Sequence, residues 1–159
     1  MKLLRRAAGR FVFQLGSREK ELLAQILGLY PCIPAAYQPL SKNGTVGEST
    51  QRLLEEALAD QRLENQKRAQ ALLAAPGPLK ANPDGWLLSL RSAELEQLLQ
   101  ILNDVRVGSW ISLGSPQPPL EVFDAKLAPH FWAMELAGHF QMYFLAALDD
   151  GGVQGGSAP

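Results

Sequence analysis

The stretch HFWAMELAGHFQMYFLAAL, residues 130 to 148, carries one acidic side chain, Glu135, and neither lysine nor arginine. A helix built from it is apolar almost all the way round, so it must lie at the centre of a fold or against another subunit. Pro129 stands at its start, where a missing amide donor costs nothing. The rest of the chain must supply surfaces that cover this helix. With 159 residues, of which 47% are hydrophobic and 19% charged, there is material for one domain with a substantial core.

Three further helices follow from spacing and caps. After Ser17, with Glu19 and Glu21 in the first turn, Leu22, Leu23, Ile26, Leu27 and Tyr30 keep helical spacing until Pro31. PCIPAAYQPLSKNGTVGE reads as a long loop. A second helix begins at Ser49 or Thr50 and runs to Ala75 before Pro76. PGPLKANPDG is a second loop. Ser92 then caps AELEQLLQILNDVRVGSWISL, which ends at Gly114, and SPQPPLEVFDAKLA is a third connector with room for one helical turn. Alternation marks two short strands, RFVFQL at 10–15 and WLLSL at 86–90. The expected fold is mainly α, a four-helix bundle-like single domain over 1–148 with two short strands able to pair beside it. GGVQGGSAP lies in a flexible C-terminal tail over 149–159.

Formal net charge is −1, so no global field favours nucleic acid or an anionic membrane. Cys32 is the lone cysteine, which fits a reducing compartment. Lys2, Arg5, Arg6 and Arg10 resemble the start of a signal peptide, but no apolar segment follows them and the arm reads as solvated. No run has the length and purity of a spanning helix. These features read as cytoplasmic, with no membrane partner.

The third helix poses the main chemical question. At about 100° per residue, Leu95, Leu98, Leu99, Leu102, Val105 and Leu113 define a face with Arg106 near its middle, Ser109 beside it and Asn103 at its margin. Asp104 points the other way. On the second helix, Leu54, Ala57, Leu58, Ala69 and Leu72 share a face with Gln61, Asn65 and Arg68. An unpaired buried guanidinium costs several kcal/mol, so Arg106 calls for a carboxylate. Glu135 is the first candidate, and Glu55 or Glu56 the second. Two readings follow: an internal network built on an Arg106–Glu135 pair, or a pocket for a small anion lined by Gln61, Asn65, Arg68, Asn103 and Arg106.

Other motifs carry less. Glu135 and His139 share a helical face, yet with His130 and the distant Cys32 they leave too few donors for a closed metal site. No metal and no cofactor is expected. KNGTVGEST lacks the order of a phosphate loop and reads as turn chemistry, including its Asn43-Gly44-Thr45 glycosylation pattern. There is no nucleophile elbow, Cys32 has no recognisable histidine partner, and no catalytic residue is assigned. The interhelical connections are too long for helix-turn-helix recognition, and Trp110, Phe131, Trp132, Phe140, Tyr143 and Phe144 have no basic surround. Nucleic acid is therefore not an expected partner.

LLQILNDVRVGSWISLG, preceded by WLLSLRSAELE and followed by an aromatic helix ending in LAAL, resembles the bacterial domain-of-unknown-function family numbered 2017. The likeness runs in order over most of residues 9 to 148, and its motif is Leu102-Asn103-Asp104-x-Arg106. The central loop and the bulky Ser109-Trp110 after Gly108 depart from the family pattern. The resemblance implies a bacterial cytoplasmic helical protein without assigned chemistry, with a genomic association to Clp-type proteolysis. Together with the apolar last helix, the expectation is a non-enzymatic interaction or regulatory domain that binds a protein partner or itself. The alternative is a small anionic-ligand binder, or an enzyme, using the Arg68 and Arg106 seam.

Overall fold

Phe11, Phe13 and Leu15 recur at every second position, and that alternation builds strand β2 (Arg10–Leu15) with all three side chains buried. In the computed structural model, which describes residues 1–32, 47–117 and 124–149, β2 lies at the centre of a sheet. Strand β1 (Lys2–Ala7) joins it through a tight turn at Ala8 and Gly9, whose φ values are 49 and 70. Positive φ at both turn residues matches the twist of a two-residue hairpin. Strands β3 (Leu79–Asn82) and β4 (Gly85–Arg91) form a second hairpin, and the antiparallel order is β1-β2-β4-β3. At the β3–β4 turn Gly85 has φ 130, and a Cβ there would stand 2.4 Å from the Leu15 carbonyl oxygen. Glycine is required at that position.

The expectation of a mainly helical bundle with two short strands is therefore corrected to a mixed α/β fold with a four-stranded antiparallel sheet. RFVFQL and WLLSL are its central pair; the unforeseen strands are the two edges. KLLRRA does not alternate, because the pairing register slips between Leu3 and Arg5. Its cations made it look like a solvated arm. LKAN is a four-residue segment flanked by Pro78 and Pro83, and its pairing with β4 makes it a strand.

Helices α1 (Ser17–Gly28), α3 (Ser92–Ser112) and α4 (Ala128–Asp149) cover the sheet face that carries Phe11, Phe13, Leu79, Leu88 and Leu90. The caps sit one residue earlier than the expected Ser17 and Ser92. The Gly16 amide donates to Glu19 Oε2 at 2.8 Å and the Arg91 amide to Glu94 Oε2 at 2.7 Å. The amino terminus of Met1 also pairs with Glu19. Helix α2 (Glu48–Leu72) ends before the expected Ala75 and buries only Ala69 and Leu72. A 3₁₀ turn at Ala125–Leu127 leads into α4 and supplies the single turn expected in the third connector.

Helix α4 buries one side and exposes the other. Ala133, Ala137 and Ala147 let neighbours approach, while Phe140 and Phe144 fill the space between; the Phe144 ring meets Phe13 edge-on at 5.0 Å. Arg6, on the inner side of β1, lies over Phe11 and donates from Nη1 to the Ala147 and Leu148 carbonyls at 3.3 and 2.9 Å. A cation thus meets carbonyls at the negative end of α4. The loop reading of 33–46 and the turn chemistry of Asn43-Gly44-Thr45 lie outside the described residues. So do residues 118–123 of the third connector and the tail from 150 onward.

Candidate functional site

The buried side of α3 is made by Leu95, Leu98, Ile101, Leu102, Val105, Gly108 and Ser109. Compared with the face expected from the sequence, the stripe is rotated toward Ile101 and Gly108. Arg106 moves from its middle to its edge and is exposed. The reason lies in the N-terminal segment. A Cβ on Gly108 would stand 2.4 Å from Cys32 Cβ and 2.7 Å from its carbonyl carbon, so the chain after α1 passes directly over this glycine. One turn earlier, Asp104 Oδ1 accepts the Cys32 amide at 2.8 Å. Asp104 is half-buried and structural, not the solvent residue that its angle on the wheel predicts. Its spacing to Gly108, one turn apart on the same side, was the available signal.

The five residues expected to line one anion pocket fall on two sides of α3. Gln61, Asn65 and Arg68 of α2 face Tyr30, Gln97, Gln100 and Asp104 across a cleft of about 540 Å³. Asn65 Nδ2 donates to the Tyr30 hydroxyl at 3.2 Å, and Gln66 Nε2 to the Tyr30 carbonyl at 3.4 Å. Arg68 Nε pairs with Glu64 Oε1 at 3.3 Å, with both side chains mostly exposed. Glu96 and Asp104 line the same cleft, so its charge is mixed rather than anion-selective. Asn103 and Arg106 instead line a groove of about 580 Å³ between α3 and α4 with Gly138, Gln141, Met142 and Leu145.

The Arg106–Glu135 pair does not form. Arg106 Nη1 donates to Gln141 Oε1 at 3.5 Å, and its stem passes 3.8 Å from where a Gly138 side chain would begin. Gln141 in turn donates to the Leu99 carbonyl at 3.4 Å. Glu135 is exposed and lines an adjoining groove together with Arg106 and His139 without an ion pair among the described residues, while the His139 ring stacks edge-on with Tyr143 at 5.0 Å. Because Arg106 keeps its head in water, no buried charge demands a partner.

Cys32 Sγ donates to the Leu29 carbonyl at 3.1 Å. Burial, reinforced by the Asp104 carboxylate, pushes its thiol up to about 11. It is therefore protonated at neutral pH and a poor nucleophile. Among the described residues, no group of three or more His, Cys, Asp or Glu side chains could hold a metal ion. Arg62 Nη2 is shielded from solvent without a hydrogen-bond partner among the described residues. No helix of the described residues is long and apolar enough to cross a membrane.

Large exposed apolar side chains form the other notable surface. On the outer side of α4, Trp132, Met142, Tyr143 and Leu145 are 60%, 62%, 42% and 48% exposed. Comparison with protein-family models, curated proteins and solved structures finds no match to this chain.

Proposed function

We propose that this protein acts by docking to protein rather than by chemistry, as a non-enzymatic interaction or regulatory domain that self-associates through the outer face of α4. The exposure of Trp132, Met142, Tyr143 and Leu145 on one helix carries this reading. Aromatic and methionine side chains gathered on one surface are what protein interfaces enrich. Among the described residues, that side of α4 carries Glu135 and Asp149 as its acidic side chains and neither lysine nor arginine, and an interface core depletes charge.

The resemblance around Leu102-Asn103-Asp104-x-Arg106 supports a bacterial, cytoplasmic, regulatory setting, with Clp-type proteolysis as the associated process. The alternative anion site has lost its single location, because the Arg68 and Arg106 side chains line different clefts.

Sedimentation of the full chain at micromolar concentration in about 0.5 M salt, where ionic contacts are screened, tests the proposal. A species larger than a monomer should appear, and Trp132→Glu with Met142→Glu should return it to monomer. A strict monomer, or an oligomer indifferent to both changes, overturns α4 self-association.

A further inference from the structure

The sheet face turned away from the helices is strongly one-signed. Lys2, Arg5, Arg10, Lys80 and Arg91 are all exposed there, around a half-buried centre of Val12, Leu87 and Ser89. The register sets Arg5 opposite Val12, Lys80 opposite Leu87, and Arg10 directly opposite Arg91. Like charges opposite each other on paired strands destabilise a sheet, so this arrangement costs the fold something. Glu94 answers Arg91 at 2.7 Å, but Lys2, Arg5 and Lys80 have no ion pair among the described residues.

The first half of α2 has the opposite make-up. From Glu48 to Leu63 only Leu58 and Arg62 are even half-buried. Leu53 and Leu63 are 66% and 53% exposed. Glu56 and Asp60 lie between them at helical spacing, on the side turned away from Ala69 and Leu72. Neither carboxylate has an ion pair among the described residues. One surface of the chain is thus cationic with an apolar centre, and another carries Glu56 and Asp60 between apolar ends, with Arg52 one turn before Glu56.

We propose that the Leu53–Leu63 stripe of α2 from a second copy of this chain docks on the basic sheet face, and that the two copies do so reciprocally. Glu56 and Asp60 meet Arg5, Arg10 and Lys80, while one of Leu53 and Leu63, which stand about 15 Å apart along the helix, covers Val12 and Leu87. Reciprocal docking uses both surfaces of both copies and closes on a two-fold axis. Single-stranded nucleic acid is the weaker occupant, because it needs aromatic faces on which bases stack. Phe11 and Phe13 point into the core, and the Trp86 ring is covered by Lys20 Nζ at 4.5 Å. This contact is ionic and separate from the α4 face, so the failure of either leaves the other standing.

The test uses the full chain carrying Trp132→Glu and Met142→Glu, so that α4 contributes nothing. Isotope-labelled and unlabelled copies are mixed at low salt and coupled with a zero-length carboxyl-to-amine reagent. Mass spectrometry should then find Glu56 or Asp60 of one isotope joined to Lys80 or Lys2 of the other, and about 0.5 M salt should abolish these products. In the same background, Arg5→Glu with Lys80→Glu should sediment as a monomer, as should Glu56→Lys with Asp60→Lys. Mixing the two reversed variants should restore the dimer, which also shows that both are folded. Cross-links confined to one isotope, or no dimer on mixing, overturn the proposal. It is equally overturned if the sheet face retains oligo-dT of about 20 nucleotides in a way that the α2 reversal leaves unchanged.

Discussion

Helices α2 and α4 are similar in length, 25 and 22 residues, yet they are held in place by different forces. Helix α4 contributes Ala133, Ala137, Phe140, Phe144 and Ala147 to the core. Helix α2 contributes Ala69 and Leu72, and its first half stands clear of the body. Its support there is local: good helix formers and one-turn contacts such as Gln51 Nε2 to Glu55 Oε1 at 3.2 Å. Exposed apolar residues therefore mean different things on the two helices. On α4 they are the back of a core element; on α2 they belong to a stripe that stays more than half exposed. A hydrophobic pattern shows that a face needs covering, and burial shows which face the chain covers itself.

The largest effect expected from this contrast is at Phe144. Phe144→Ala removes a fully buried ring packed on Phe13 and should cost roughly 3–5 kcal/mol in chemical denaturation. Leu53→Ala on α2 should stay within about 0.5 kcal/mol. Equal losses at the two positions would erase the distinction. Next comes Gly108→Ala, which drives a methyl into the Cys32 backbone and should cost roughly 1–3 kcal/mol. Its signature should be local, with faster amide exchange at Cys32, because the Asp104 hydrogen bond depends on the same close approach.

Arg106→Ala should change stability by no more than about 0.5 kcal/mol, as for an exposed side chain without a carboxylate partner. A loss of several kcal/mol would mean that the guanidinium is buried and paired after all.

A further effect is acidic. The hydrogen bond from Arg91 holds the Glu94 carboxyl below its ordinary value of 4.5, against the opposing pull of partial burial. Burial pushes Glu19 up, but hydrogen bonds from the amino terminus and the Gly16 amide outweigh it and leave this carboxyl lowered too. In both cases the unfolded chain binds the proton more readily. The stabilisation is therefore present above about pH 4.5 and lost as pH falls through the lower folded values. Since both sites are near solvent, each cap should contribute no more than about 1 kcal/mol. Glu94→Gln should flatten the acid limb and loosen the first turn of α3 in amide exchange, leaving α4 unchanged.

Much of the fold was legible in residues that repeat a period. Phe11, Phe13 and Leu15 announced β2, the leucines of α3 announced a helix, and HFWAMELAGHFQMYFLAAL announced a helix with an apolar surplus. The edge strands were not legible, since a bulge broke the alternation of β1 and β3 is too short to show one. The candidate site was legible only as a set of residue types. Gln61, Asn65 and Arg68 do meet one another, and Arg106 does lie beside Asn103. The assumption that both groups face one space failed, because it placed the centre of the α3 stripe too close to Leu99.

By itself, the order of residues determined the four helices and the two central strands, to within a few residues at their ends, and that α4 carries more apolar surface than one core can hide. These are local consequences of side-chain periodicity and backbone sterics. Tertiary structure decided the rest: the sheet edges, the rotation of α3, the bond of Arg106 to Gln141 in place of an ion pair with Glu135, and the roles of Asp104 and Arg6. Each of these depends on a partner far away in the chain. Cys32 over Gly108 and the Ala147 and Leu148 carbonyls beside Arg6 are contacts whose energies no local pattern encodes, because they exist only once distant segments have packed.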